Sequence, residues 1–350
     1  MRRIEASAFA RAGLAGNPSD GYFGKTLSVA IRDFSARVVL YDWPSIEILP
    51  CQQDHVCFDT LQKLAEDVRL NGYYGGIRLV KASLKKFYDY CQMYEIRLPS
   101  DNFTVRYETD VPRQVGLAGS SSITTATFKA LMAFYEIEIP DHILPSWVLA
   151  TEKDELGIGG GLQDRVCQAY EGLVFMDFAR EKMQRDGFGH YERLDLDSLP
   201  PLYLAYQADL SEISEVVHNK LRERWAAGDP EIIGAMEQFA DYAQQARDCL
   251  VEGRPEELGA IMNANFDLRR RIIPISESNM MMVQTARRCG ASAKFAGSGG
   301  AVVGVCPDDH GWRALCRELS QLGCRVLRPT ILPRRPSVIQ HGESTSPPDA

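Results

Sequence analysis

Gln114-Val115-Gly116-Leu117-Ala118-Gly119-Ser120-Ser121-Ser122-Ile123-Thr124 joins a Gly-x-x-Gly turn to three consecutive hydroxyls. Directly behind it, Ile123, Thr127, Ala130, Leu131 and Phe134 recur at three- and four-residue steps, which predicts a helix ending near Tyr135. A glycine loop feeding a helix N-terminus exposes unpaired backbone N–H groups at the positive end of the helix dipole, and that geometry binds phosphate. Serine hydroxyls there can cap the helix or ligate a magnesium ion riding on the phosphates. An ordinary capped surface helix fits the same string, so its surroundings must decide.

Two further glycine-rich elements stand at the ends of the chain. One is Ala10-Arg11-Ala12-Gly13-Leu14-Ala15-Gly16-Asn17-Pro18-Ser19-Asp20-Gly21-Tyr22-Phe23-Gly24, the other Lys294-Phe295-Ala296-Gly297-Ser298-Gly299-Gly300-Ala301-Val302-Val303. In this order the three elements resemble the motifs of the GHMP kinase superfamily, which includes galactokinase and the homoserine, mevalonate and phosphomevalonate kinases. The likeness runs from about Ala6 to about Pro329. Within the superfamily, the wording of Gly16–Asp20, Pro112–Gln114, Gly161–Arg165, Asn265–Arg270 and Gly297–Val303 is most similar to the glucuronokinase branch.

The resemblance implies ATP and magnesium, and it implies roles. Gly116, Leu117, Ala118, Gly119, Ser120, Ser121 and Ser122 would cradle the ATP phosphates. Ser121 would ligate the metal with Glu152, twelve residues before Asp164, or with Glu155 one helical turn on. Asp164 would be the catalytic base or would chiefly position the attacking hydroxyl. Arg11 beside it would hold that carboxylate ionised and offset charge on the transferring group. Asp20 would bind sugar hydroxyls. Gly297, Ser298 and Gly299 would lie beside sugar and phosphates.

Asn17 departs from the galactokinase branch, which carries glutamate there. A substrate carboxylate facing a glutamate would be repelled; asparagine removes the charge and keeps a donor. This favours a uronic acid, with Arg113, Arg165 and Lys25 as candidate carboxylate partners and Arg269 a weaker one. The expected activity is therefore an ATP-dependent sugar-1-kinase acting on D-glucuronate. The alternatives are a relative acting on galacturonate or a neutral hexose, or a non-catalytic sugar or nucleotide sensor on the same scaffold. A P-loop reading of Ser19–Thr26 fails because Ser19 stands where the first glycine belongs.

Composition agrees with this reading. The 350 residues are 45% hydrophobic and 25% charged, with a net charge of −8 that argues against nucleic-acid or acidic-membrane partners. Nine scattered cysteines without a C-x-x-C suggest free thiols in a reducing compartment. No apolar run follows the basic residues of Met1–Glu5, so no signal peptide is expected, and the expected setting is cytoplasmic, as monomer or homodimer.

Mixed strand and helix runs without regular alternation predict an α+β protein. The resemblance implies a domain like domain 2 of ribosomal protein S5 over 1–198 and a ferredoxin-like domain over 199–333. Antiparallel strands are expected over 25–49, helices over 57–72, 76–93 and 141–155, and irregular structure over 180–200. The Ser- and Pro-rich segment 334–350 is expected to be disordered.

Overall fold

A computed structural model of the chain describes residues 2–50, 54, 75–207, 214–306, 308–331, 333 and 338–341. The expected helix over 57–72 lies outside these residues.

In the N-terminal part, β1 (Arg3–Ala15) and β2 (Lys25–Trp43) pair antiparallel, and β3 (Glu47–Ile48) is short. Helix α1 (Gly76–Met93) leads to β4 (Asn102–Thr109), and α2 (Gly119–Tyr135) follows the glycine loop. Helix α3 (Leu144–Ala150) runs on into one π-helical turn, Thr151–Glu155. Then come α4 (Gln163–Tyr170), β5 (Leu173–Asp177), α5 (Arg180–Asp186) and β6 (His190–Leu194). The C-terminal part holds β7 (Leu202–Tyr206), α6 (Ser214–Ala226), α7 (Pro230–Val251), α8 (Leu258–Ile272) and α9 (Glu277–Arg288). It continues through β8 (Lys294–Phe295), β9 (Ala301–Val305), α10 (Asp309–Gln321) and β10 (Arg325–Leu327); β11 (Val338–His341) comes last.

A seven-stranded sheet runs β11-β1-β2-β4-β3, with β5 also on β2 and β6 on β5; a four-stranded sheet runs β10-β7-β9-β8. Burial along β1 explains its two jobs. It alternates from Arg3 to Ala10, as a strand with one covered face must, and is then buried at every position to Ala15, where it passes between the two layers. Helices α1 and α2 cover the first stretch through Phe87, Phe128 and Phe134, which pack with Phe103 of β4. The second stretch shares a core with the C-terminal part, where Ala10, Leu14, Leu27 and Val29 meet Leu202, Leu204, Ala243 and Leu258. The layers are thus fused by a common core, and the motif-bearing ends of β1 and β8 are held against each other.

Three expectations need correction. Residues 25–49 form one long strand plus a two-residue segment parallel to β4, not a set of antiparallel strands. Residues 180–200 contain α5 and β6. The latter pairs antiparallel with β5, and its polar composition reflects an edge with one wet face rather than irregularity. Within the segment after 333, Val338–His341 forms a strand that pairs antiparallel with Arg3–Ala6, where disorder was expected. Ser198 falls between β6, of the seven-stranded sheet, and β7, of the four-stranded one, and 338–341 rejoins the seven-stranded sheet. No helix among the described residues is long and apolar enough to cross a membrane.

Candidate active site

The three glycine elements converge on one cleft of about 640 Å³. Gly116–Ser120 form one wall, Asn17 and Asp20 another, and Gly297 and Ser298 close it from the C-terminal part. Asp164 and Arg165 enter from the start of α4.

The phosphate loop is shaped by its own backbone. Gly116 has φ +71°, and a Cβ there would lie 2.7 Å from the Ser298 backbone nitrogen, so only glycine lets the second and third elements touch. Ala118 also adopts a left-handed conformation (φ 67°) at the start of α2. Gln168 Nε2 holds it there by donating to the Ala118 carbonyl at 3.0 Å. Helix α2 has no side-chain cap and no acidic residue in its first turn. Its leading N–H groups are therefore open to an anion in the cleft.

A single guanidinium connects the parts. Arg11, only 6% exposed, donates from Nε to Asp164 Oδ1 at 2.6 Å, and from Nη1 to the carbonyls of Gly116 (2.6 Å) and Ala296 (3.1 Å). Asp164 stands one side chain away from the phosphate loop. Arg269 ties the third element down in the same way, through the carbonyls of Gly297 (3.1 Å) and Ser298 (2.8 Å). Asn265, one turn earlier on α8, accepts from Gly16 N at 2.7 Å and donates to the Asn17 carbonyl at 3.3 Å.

Asp20 accepts from the Gln163 backbone N–H at 3.3 Å and packs on Gly161, where any side chain would collide with its carboxylate. Burial, then the nearby charge of Asp164, pushes its carboxyl up to about 6, against the opposing pull of Gln163, Arg11 and Arg165.

Glu152 is fully buried and forms an ion pair with Arg165, which donates to it from both Nε and Nη2. Its other carboxylate oxygen accepts from Ser120 Oγ at 2.6 Å. Burial works against the Arg165 charge, but Glu152 and Asp164 outweigh it and keep the guanidinium's pKa above its usual value. Ser121, expected beside the carboxylate, instead donates its hydroxyl to the Ala118 carbonyl and is buried behind the loop. Ser122 does likewise to Gly119. Glu155 faces Lys85 and Lys86 on the outside. Lys25 bonds Gln244 and lies 3.6 Å from Asp177, away from the cleft lining. Gly299 supports the third turn, its carbonyl close to Gly116, without lining the cleft.

Family models agree with this geometry. The model for the GHMP kinases N terminal domain matches residues 78–172, and that for GHMP kinases C terminal matches residues 246–325. Over 332 residues the chain is 44% identical to glucuronokinase 1 of Arabidopsis thaliana, covering 93% of this chain and 91% of that one. It is 42% identical over 336 residues to probable glucuronokinase 2 of the same plant, covering 94% and 91%.

The chain belongs to the GHMP kinases.

The fold of this GHMP kinase is also that of galactokinase from Lactococcus lactis complexed with galactose, with a TM-score of 0.75 at 14% identity, covering 94% of this chain and 93% of that one. The kinase cleft holds residues to which sequence reasoning assigned no role. Lys294 is buried beneath it and donates to Gly13 O (2.5 Å), Asn17 Oδ1 (2.7 Å) and Phe295 O (2.8 Å). Burial first, then Arg269 and Arg11, lower its pKa well below the lysine range. Asn17 thus has its oxygen committed to Lys294, and its amide nitrogen is the group left for the cleft. Lys294 lies within the third glycine element, but nothing local to its sequence marks a bond across 277 positions. Arg78, Tyr22 and Arg222 also line the cleft. Arg78 and Arg222 lie outside all three glycine elements, and Tyr22 lies near the end of the first.

Proposed function

We propose that this GHMP kinase transfers the γ-phosphoryl group of ATP to the anomeric hydroxyl of D-glucuronate. The carrying observation is the Arg11 bridge, which sets Asp164 beside an uncapped helix N-terminus built for phosphate. ATP phosphates would lie on the N–H groups at the start of α2. Asp164 would accept the hydrogen bond of the attacking hydroxyl and orient its oxygen in line with the γ-phosphorus. A new oxygen–phosphorus bond forms as the bond to the β-phosphate oxygen breaks. The sugar proton passes to Asp164 or onward to solvent, and ADP leaves with the bridging oxygen. Arg11 keeps Asp164 in place throughout.

Ser120 lines the cleft with the buried Glu152 carboxylate directly behind it, a hydroxyl and a carboxylate oxygen that would suit magnesium when phosphates supply further ligands. The metal role expected of Ser121 moves in our reading to Ser120. When bound, the ion would neutralise charge on the transferring phosphates. The 44% identity to a glucuronokinase, together with a neutral residue at position 17, supports glucuronate as the acceptor. Purified protein with magnesium ATP, offered glucuronate, galacturonate, glucose, galactose and mevalonate side by side, is expected to prefer glucuronate. Preference for a neutral sugar would overturn the reading.

Asp20 adds a pH signature. It accepts sugar hydroxyls most strongly as a carboxylate, and in the free protein it holds its proton up to about pH 6. The kcat/KM for the sugar is therefore expected to rise through about pH 6, with the KM for ATP flat over the same range. Asp20→Asn should be weak at all pH values and should erase the rise. Stability follows with the opposite sign. The folded-state pKa lies above the unfolded one, so the stabilising proton is fully bound below about pH 4 and lost as pH rises through about 6. At neutral pH the Asn variant should thus melt above wild type. A wild-type profile without that rise would remove Asp20 from sugar binding.

A further inference from the structure

A uronic acid differs from its hexose by one carboxylate, and the cleft must neutralise that charge to select it. Three of the arginines lining the cleft are buried in its framework: Arg11 holds Asp164, Arg165 is locked to Glu152, and Arg269 fixes the third glycine turn. Arg113 lies three residues before Gly116, and Arg78 starts α1 beside Gly76, which packs on Tyr107; both flank the phosphate-loop wall.

Arg222 stands at the other end. Its Nη1 lies 3.2 Å from where a Cβ on Gly159 would be. The same glycine run continues to Gly161, which packs on the Asp20 carboxylate, and then to Asp164. Its helix fixes the approach. Leu221 is buried in a cluster with Ile232 and Phe239, and Trp225, one turn on, meets Tyr22 edge-on at 5.6 Å. Tyr22 closes the Ser19–Tyr22 turn that carries Asp20. Arg222 is thereby positioned against the turn that would grip the sugar, while its guanidinium faces the cleft. Sequence reasoning passed over it because it sits on an ordinary helix, far along the chain from any glycine element.

We infer that Arg222 binds the carboxylate of the sugar acid and sets the enzyme's preference for uronates over neutral hexoses. A planar guanidinium takes a carboxylate through two parallel hydrogen bonds, which a hydroxymethyl group cannot accept. This rests on glucuronate being the acceptor. The residue is exposed on the cleft rim, so its replacement leaves the core intact.

The test measures kcat/KM for glucuronate and for glucose, with the KM for ATP, in wild type, Arg222→Ala and Arg222→Lys. Arg222→Ala is expected to lower kcat/KM for glucuronate by about 30–100-fold, mostly through KM, and to lower that for glucose far less. The ratio of the two should fall at least about tenfold, with the KM for ATP within about twofold of wild type. Arg222→Lys, which keeps the charge but not the fork, should fall between. Parallel losses on both sugars, or an unchanged ratio, would overturn the inference. A wild-type enzyme indifferent between glucuronate and glucose would instead sink the substrate reading, and this inference with it.

Discussion

Asp164→Asn is expected to bind ATP as wild type does and to lose about 1,000-fold in kcat, roughly 4 kcal/mol of barrier. Asparagine keeps an oxygen for Arg11, so the guanidinium that bridges Gly116 and Ala296 retains its partner and the loop keeps its shape. What goes is the negative charge that orients the hydroxyl and can take its proton. Alanine would be a poorer probe, because it leaves a buried arginine unpaired and confounds chemistry with folding. Titration calorimetry with ATP, alongside steady-state turnover, separates the two effects. Near-normal kcat would remove Asp164 from the mechanism, and loss of ATP binding would show that its role is architectural.

The second large effect concerns stability. Glu152→Ala removes the hydrogen-bonded counter-charge of a guanidinium that is itself only 3% exposed, leaving Asp164 at 3.6 Å as its nearest carboxylate. Breaking one side of such a pair costs about 3–5 kcal/mol, because a poorly compensated charge stays in the interior. Melting should fall by roughly 5–15 °C on that basis. Glu152→Gln should fall less, since it still accepts hydrogen bonds from Arg165 and Ser120. Both variants should also need more magnesium for half-maximal rate, which a purely structural glutamate would not require. An unchanged melting temperature in the alanine variant would mean that water reaches Arg165 despite its burial.

Local pattern carried much of the fold. The period of Ile123–Phe134 and the glycines before it predict α2, and its N-terminus lies where the anion reading needs it. Helix α1 was likewise visible, its bounds falling on the expected 76–93. The polar edge strand β6 was not, because one wet face leaves too few apolar residues to count. Nor was β11, whose partner is more than 330 positions away. The site divides along the same line. The family resemblance brought Arg11, Asp20 and Asp164 under suspicion, and all three line one cleft. Which serine faces Glu152 depends on a left-handed Ala118 that rotates the start of the helix, and no residue pattern declares that conformation. Lys294 and Arg222 are legible only once the chain has folded, since their neighbours come from distant segments.

The strand at 338–341 bears on how the protein is made. A ribosome delivers the first sheet early, but the outer partner of Arg3–Ala6 only after the whole C-terminal layer. Until then the nascent chain presents an open edge of backbone donors and acceptors, a ready template for a neighbouring polypeptide. A gene fragment stopped at residue 198 would keep that edge bare permanently and would also expose the apolar floor made by Leu14, Leu27 and Val29. Expression of the N-terminal half alone should therefore yield aggregates, and a split version of this kinase would have to supply the late strand together with its first partner.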